Sequence, residues 1–278
     1  MRLAVSGLTA LTGDLEGPES IEERVFRTVR AALDAAGLEP RDCDAVVLAA
    51  DDVADGRSIT TMLHATAAGA YLLDEIRITN GSLTALGLAS LRILAGLAER
   101  VIVAAWWLPS AGWEALARSG LDVGYGRRLV APERLAPEAR EGASAACVLS
   151  RDGTGPALEG FAFAQVDYER WLACDGEPEG VLGRLGRDLA RRSRALEGEG
   201  LFATSGNGEW TPLREAAGVP ASWRATGPAT NYGLAEGLVL LAGAAAGLAP
   251  GEQAVVAATG VPPFLQVEAA RLSGAAGA

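Results

Sequence analysis

The sequence predicts an α/β fold in which strands and helices alternate along the whole chain. Short apolar runs of the kind found in buried strands recur, separated by segments with helical periodicity. Each half also contains one long helix rich in Ala, Gly and Leu, at residues 82–98 and 234–248. Because the order of elements is similar in both halves, we expect an internal duplication, with halves 1–155 and 156–278 packed as one compact unit.

The elements of the first half begin with a strand at residues 2–8. A capping box, Ser20-x-x-Glu23, predicts the start of a helix that ends at Gly37. The remaining predictions are a strand at 45–50, a helix at 60–73, strands at 76–79 and 101–106 around the helix at 82–98, a loop at 124–140 and a strand at 142–149.

The second half is predicted to repeat this order. It contains a strand at 158–165, an amphipathic helix at 181–196, a strand at 201–204, the apolar helix at 234–248, and a hairpin formed by 254–259 and 264–268 around Gly-Val-Pro-Pro. The tail at 273–278 has no apolar pattern, so we expect it to be disordered.

Composition and charge exclude several classes of function. The chain has 278 residues, 49% of them hydrophobic, which is enough for a sizeable core. All 24 basic residues are arginine, and without lysine the chain cannot form a Schiff base or use the lysine of a phosphate loop. A net charge of −11 argues against binding to nucleic acid, because the phosphate backbone is also negative.

We expect neither a metal nor a cofactor. The three cysteines, Cys43, Cys147 and Cys174, lack Cys-x-x-Cys spacing and have only His64 to complete a zinc site. No Gly-x-Gly-x-x-Gly motif follows a predicted strand, so a nucleotide site is unsupported. The N-terminus lacks a charged leader pattern and the apolar stretch at 237–248 is too short to span a bilayer, which predicts a cytoplasmic protein without a membrane partner.

Residues 77–96, RITNGSLTALGLASLRILAG, resemble the nucleophile segment of β-ketoacyl synthases of the thiolase superfamily. In that family a buried strand delivers a cysteine to the N-terminus of a long apolar helix, in the run Cys-x-Ser-Ser-Leu-x-Ala-Leu-x-Leu-Ala. Here Ser82 falls in register and Thr79 occupies the cysteine position. A helix N-terminus makes a cysteine thiolate more stable, whereas a threonine hydroxyl stays protonated and needs a base to become a nucleophile.

Other segments resemble the same family in the same order. Residues 141–150, EGASAACVLS, resemble the strand that closes its first half. Residues 203–216 resemble the His-Gly-Thr-Gly-Thr loop, with Ser205 at the first catalytic histidine. In the segment that follows, Thr226 occupies the position of the family's lysine and Asn231 that of the second histidine. The resemblance implies a thiolase-like fold, with duplicated halves forming a five-layered αβαβα sandwich.

Since the cysteine and both histidines are replaced, the resemblance implies no independent ketosynthase activity. It implies a non-catalytic subunit similar to a chain-length factor, which pairs with an active β-ketoacyl synthase in a type II polyketide or fatty-acid-like pathway and helps shape the acyl tunnel. In the family, dimers form through the strand before the nucleophile, here Ile76, Arg77, Ile78 and Thr79. An acyl carrier protein, itself acidic, is expected to dock mainly on the catalytic partner.

Two other hypotheses stay open at this stage. One is an acyltransferase or thioester hydrolase that uses Thr79 or Ser82 as its nucleophile. The other is a scaffold protein of the same fold without an acyl ligand. Structural roles are the alternative interpretation for Thr79, as a helix cap, and for His64 and Cys147. The aromatic side chains of Trp106, Trp107 and Trp113 are predicted to line a pocket, face a partner or fill the core.

Overall fold

The computed structural model describes residues 2–13, 19–50, 73–78, 81–108, 141–165, 187–188, 196, 198–205, 214–215, 217–259 and 266–275. The predicted helix at 60–73 apart from its last residue, the predicted loop at 124–140 and most of the predicted helix at 181–196 lie outside these residues. So do Thr79, His64, Trp113 and Cys174. The predictions made for those residues therefore stay predictions.

Strands and helices alternate in the part of the chain that the structure describes. The first half contains β1 (Leu3–Thr12), α1 (Ile21–Ala36), β2 (Ala45–Ala49), β3 (Asp74–Ile78), α2 (Ser82–Leu94), β4 (Arg100–Trp107) and β5 (Ala143–Ser150). The second half contains β6 (Ala157–Gln165), β7 (Gly200–Ala203), β8 (Arg224–Thr226), α3 (Glu236–Ala246), β9 (Gln253–Thr259) and β10 (Gln266–Ser273). Short 3₁₀ turns at Pro40–Asp42 and Gly233–Ala235 precede β2 and α3.

The two halves have the same strand topology. The ten described strands lie in the order β3-β2-β4-β5-β1-β6-β10-β9-β7-β8. If the strands of each half are numbered one to five along the chain, each half has the order third, second, fourth, fifth, first from the outer edge of the sheet to its middle. In each half the fifth strand, β5 or β10, is antiparallel to the other four. The halves join where β1 meets β6, and the predicted boundary at residue 155 falls in the connection between β5 and β6.

The buried residues place α2 and α3 in a central layer between the two sets of strands. A central apolar cluster combines residues of both helices with strand residues from both halves, including Leu86, Val103, Leu241 and Val256. The opposite face of the first-half strands packs against α1, through Val29, Leu33 and Ile102 among others. A third cluster covers the opposite face of the second-half strands. Each set of strands is therefore buried on both faces, as its near-continuous apolar sequence predicts.

The helices begin and end where local chemistry requires. The capping box of α1 is confirmed, since the Ser20 hydroxyl accepts from the Glu23 N–H and the Glu23 carboxylate accepts from the Ser20 N–H at 2.8 Å. The prediction that α2 reaches residue 98 is wrong: it ends at Leu94, because Gly96 adopts a left-handed conformation with φ +74°. Among the described residues, no helix is long and apolar enough to cross a membrane.

Three predictions in the second half need correction. Strand β10 continues to Ser273 instead of ending at residue 268, because both of its neighbours, β6 and β9, pair with it along that length. The tail therefore is not disordered at Ser273, whose hydroxyl accepts a hydrogen bond from Arg2 at 2.6 Å. The short strand β8 has no apolar run and was not predicted. Helix α3 begins two residues later than expected, after the 3₁₀ turn Gly233–Ala235.

Candidate functional site

The N-terminus of α2 is capped by a carboxylate from the other half of the chain. The N-cap residue of this helix is Gly81, which has no side chain to accept the first N–H groups. Glu268 of β10 supplies the acceptor instead: its Oε1 accepts from Leu83 N at 3.0 Å, and its Oε2 accepts from Thr84 N at 2.8 Å and Thr84 Oγ1 at 2.9 Å. A negative group at this end of a helix is favoured by the partial positive charge of the helix dipole.

The alternation of β10 directs Glu268 toward the helices. Side chains two residues apart on a strand share a face, so Glu268 points to the same side as Ala270 and Leu272, which belong to the central cluster. Its side chain is buried. Burial raises the pKa of Glu268 to about 7, although the hydrogen bonds from Leu83 and Thr84 act in the opposite direction.

The N-terminus of α3 is tied to α2 by Ser82. This side chain is completely buried, and its hydroxyl oxygen accepts a hydrogen bond from Leu238 N at 2.9 Å. The two helices approach closely here, since a Cβ atom on Gly237 would lie 2.5 Å from Leu83 Cγ and 3.0 Å from Glu268 Oε1. A residue of the other half therefore binds two of the first N–H groups of α2 and one of those of α3.

A second buried carboxyl group, Glu236, lies at the first residue of α3. Its side chain has no exposed surface, and neither of its oxygens forms a hydrogen bond of normal geometry. Burial raises the pKa of Glu236 to about 8; Ser205 and Asn231 lie near enough to lower it, and the charge of Glu268 raises it further. Ser205 and Asn231 are themselves only partly buried, so they form the outer edge of this cluster.

The structure brings three predicted site residues, Ser82, Ser205 and Asn231, to this cluster of two carboxyl groups. Asn231 also accepts a hydrogen bond from Gly233 N at 2.8 Å, which holds the turn before α3. Thr226 does not join them: it lies at the exposed end of β8, where its carbonyl accepts from Thr204 N at 3.0 Å. Ile76, Arg77 and Ile78 of the predicted partner surface lie on β3, an edge strand of the described sheet.

Neither carboxyl group was predicted from the sequence to belong to the site. Glu268 was placed at the end of the predicted hairpin strand, where a charged residue is unremarkable. Had the strand been extended to Ser273, its alternation would have put Glu268 on the buried face with Leu272. Glu236 follows the pattern of an acidic residue in the first turn of a helix, which is normally exposed. Its burial arises in the folded protein and has no local signature in the sequence.

Trp106, Trp107 and the two cysteines within the described ranges belong to the core. Trp106 and Trp107 are buried on opposite faces of β4, one facing α1 and the other the central layer, where it packs against Gly233. The prediction that Cys147 is a core residue is confirmed, since it is fully buried and burial raises its pKa to about 12. Cys43 is also buried, and burial raises its pKa to about 12. Neither thiol is suited to nucleophilic chemistry.

The arrangement can bind a negative charge, and the Glu268 carboxyl group already occupies this position. The N–H groups at the start of α2 are the donors that would stabilise a thiolate or an oxyanion in this position, and Glu268 accepts from two of them. Arg271, the other charged residue of β10, is three positions away and faces the opposite side of the strand. Within the described ranges, no group of three or more His, Cys, Asp or Glu side chains is placed to hold a metal.

Comparison with solved structures finds the same fold in condensing enzymes and thiolases. The chain resembles 3-oxoacyl-(acyl carrier protein) synthase III, FabH, from Pseudomonas aeruginosa PAO1, with a TM-score of 0.66, 17% identity and 99% of both chains covered. For the tetronic acid condensing enzyme AbyA1 the TM-score is 0.71, at 16% identity over 98% of this chain and 100% of that chain. For human mitochondrial 3-ketoacyl-CoA thiolase the TM-score is 0.64, at 11% identity over 98% and 99% of the two chains.

No family model and no curated protein sequence matches the chain. The structural likeness nevertheless extends over nearly the whole length of each compared protein, so it concerns the complete arrangement of both halves. It also agrees with the repeated strand order and the central helical layer described above. The predicted fold class is thereby confirmed: the chain has the thiolase-like fold found in ketosynthases and thiolases.

Proposed function

We propose that this protein is a non-catalytic, ketosynthase-like subunit, similar in role to a chain-length factor, that pairs with an active β-ketoacyl synthase. In this role it would help shape the acyl tunnel of a cytoplasmic type II polyketide or fatty-acid-like pathway. The observation that carries the proposal is the Glu268 carboxylate at the N-terminus of α2. The resemblance of residues 77–96 to a nucleophile segment supports the proposal, because that segment includes the same helix end.

A carboxylate in this position opposes ketosynthase chemistry. Condensation requires a negatively charged nucleophile and then a negatively charged thioester oxygen, both stabilised by correctly placed donors. Here two helix N–H groups and the Thr84 hydroxyl already donate to Glu268. A second negative group nearby would be repelled by Glu268, and in a buried site this repulsion is weakly screened.

Gly81 supports the same interpretation, because it makes room for the carboxylate. A Cβ atom at this position would lie 2.2 Å from Glu268 Oε1 and 2.7 Å from its Oε2. Any residue other than glycine would therefore displace Glu268 from the helix end. The family pattern has serine at this position. Gly81 and Glu268 therefore depend on each other, and the pair differs from the family pattern.

The position of β3 supports pairing with a partner subunit. It lies at one edge of the described sheet and is hydrogen-bonded to β2 on its inner side. The Ile78 carbonyl accepts from Ala50 N at 3.1 Å, so the backbone groups of Ile78 and Ile76 point toward β2 and those of Arg77 and Glu75 point toward the edge. A strand of another subunit can extend the sheet at this edge. The net charge of −11 favours docking of an acidic carrier protein on the partner.

The alternative function is an acyltransferase or thioester hydrolase that uses Thr79 or Ser82. Ser82 is an unsuitable nucleophile, since its hydroxyl is completely buried and accepts a hydrogen bond from Leu238 N. No described base is placed to remove its proton, because the neighbouring Glu268 is occupied by the donors of α2. Thr79 lies outside the described residues and remains the candidate of this alternative.

The proposal is tested by co-expression with an intact ketosynthase encoded by a neighbouring gene. We expect a one-to-one complex by size exclusion and native mass spectrometry, and product formation only when both subunits are present. A well-folded protein that does not bind the ketosynthase would overturn the proposal.

Labelling with an acyl thioester separates the two functions. We expect no covalent acyl adduct on the isolated chain by intact-mass measurement. An adduct that disappears in Thr79→Ala but persists in Ser82→Ala would establish the acyltransferase alternative instead. Adduct loss in Ser82→Ala alone would show that the buried hydroxyl becomes accessible in solution.

A further inference from the structure

We propose that Glu236 and Glu268 form a buried proton-binding pair, in which Glu236 carries the proton and Glu268 the negative charge, so that the packing of α2 against α3 depends on pH. This inference is independent of the proposed pairing with a ketosynthase. It rests on the placement of the two carboxyl groups between the N-termini of the central helices. It gives a role to Glu236, a buried carboxyl group that takes no part in capping α2.

First, Glu236 lies in an environment that favours its protonated form. Its side chain has no exposed surface, and the polar groups near its oxygens, Ser205 and Asn231, are neutral and form no hydrogen bond of normal geometry with it. A buried carboxylate without a compensating positive charge is strongly destabilising, whereas a protonated carboxyl group costs much less. The helix dipole at the start of α3 offsets only a small part of that cost. The protonated form is therefore the form that this environment accepts.

The second step is the absence of a described positive charge that could compensate Glu236. Strands β1, β7 and β9 contain no ionisable side chain, and β5 contains only Cys147. The single charged residue of α2, Arg92, lies in its last turn and pairs with Asp74 at 2.9 Å. On the side of the 3₁₀ turn, Tyr232 lies near Glu141, which is also acidic. The charged group that acts on Glu236 is Glu268, and its charge is of the same sign.

The third step assigns the negative charge to Glu268. Its two oxygens accept from Leu83 N, Thr84 N and Thr84 Oγ1, and three donors favour the ionised form of a carboxyl group. Arg271 does not change this assignment of the charge, because it faces the other side of β10 and pairs with Glu159 at 3.4 Å. Burial raises the pKa of both carboxyl groups, and the three donors to Glu268 oppose that rise. Close like charges keep one proton in the pair.

The pair predicts a specific dependence of folding on pH. In the unfolded chain a glutamate has a pKa of about 4.3, so between this value and about pH 8 the folded protein binds more protons than the unfolded one. Stability therefore falls as pH rises through this interval and becomes constant above it. Each additional bound proton changes the unfolding equilibrium constant about tenfold per pH unit.

The experiment compares urea unfolding of the wild-type protein and Glu236→Gln from pH 5 to pH 9. The amide of glutamine has the shape of the protonated carboxyl group but cannot ionise. We expect the wild-type unfolding constant to rise steeply with pH up to about pH 8 and the slope in Glu236→Gln to be smaller by about one proton. Glu99→Gln, on an exposed residue, is the matched control and should retain the wild-type slope. Any contribution of His64 is common to all three proteins and cancels in the comparison.

Equal slopes in the wild type and Glu236→Gln would overturn the proposal, as would a loss of stability in Glu236→Gln that is the same at every pH. If Glu236→Gln does not fold, infrared spectroscopy of the wild-type protein decides. We expect the carbonyl band of a protonated buried carboxylic acid near neutral pH and its loss on titration to pH 9. A spectrum without this band at neutral pH would show that both carboxyl groups are ionised.

Discussion

At the scale of single residues, Glu268 binds the first N–H groups of α2, and it does so from β10 in the other half of the chain. The proposed function depends on this contact. The resemblance of residues 77–96 to a nucleophile segment predicts that Thr79 holds the cysteine position, but it does not predict which group binds the helix donors. The structure shows that a buried carboxyl group from the other half of the chain binds them.

Replacing Glu268 with alanine should destabilise the protein by about 2–4 kcal/mol, because the change leaves buried N–H donors without an acceptor. Urea unfolding at pH 7 measures this loss. The matched control is Glu23→Ala, which removes an exposed carboxylate from the capping box of α1 and should cost much less. Addition of acetate should restore part of the lost stability in Glu268→Ala but not in Glu23→Ala. Similar losses in the two variants would contradict a special role for Glu268.

At the scale of secondary structure, the central helices depend on close approach at their N-termini. Gly237 lies against Leu83, Ser82 and Glu268, whereas Gly243, in the same helix, has no atom within 4 Å of the position of a Cβ. The two glycines therefore differ in environment but not in secondary structure. This difference separates the effect of packing from that of helix propensity.

Gly237→Ala should destabilise the protein by about 1–3 kcal/mol, since the added methyl group displaces α2 or the Glu268 carboxylate. Gly243→Ala should stabilise it by about 0.5–1 kcal/mol, because alanine restricts the unfolded chain and favours the helix. Thermal unfolding of both variants checks the pair of predictions. If Gly237→Ala were stabilising too, the contact between the two helices would be looser than the structure indicates.

At the scale of the whole molecule, the described sheet ends in two edge strands, β3 and β8. They occupy equivalent positions in the two halves, because the strand order is repeated. Only β3 precedes the helix that resembles the nucleophile segment, and only there does the resemblance predict a partner. The opposite edge therefore serves as an internal control for any test of pairing.

Glu75→Pro should abolish complex formation with the ketosynthase. Proline lacks the backbone N–H that Glu75 directs away from β2, so this position can no longer donate a hydrogen bond to a partner strand. Ala225→Pro makes the same change on β8, where the Thr226 carbonyl bonds to Thr204 N and Ala225 consequently faces outward. This variant should bind as the wild type does. Size exclusion with the partner measures both. Binding by Glu75→Pro, or its loss in Ala225→Pro, would place the interface elsewhere.

The sequence alone predicted those features of the fold that depend on residues within a single segment. The capping box at Ser20, the buried strands at 45–50 and 101–106 and the core position of Cys147 were all predicted from local pattern. The ends of α2 and β10 were misplaced because glycine conformation and strand pairing decide them. Of the candidate site, Ser82, Ser205 and Asn231 were identified by resemblance, while Glu236 and Glu268 were not.

The sequence by itself determined the α/β class, and it predicted the duplication and a threonine at the cysteine position of the segment that resembles a ketosynthase, since these depend on hydrophobic period, order and residue identity. Only the tertiary structure decided which group binds the first N–H groups of α2. Glu268 is 185 residues away from Leu83, to which it is hydrogen-bonded, and Glu236 is buried only in the folded protein. Such contacts have no local signature, because they arise only when the two halves of the fold close around their central helices.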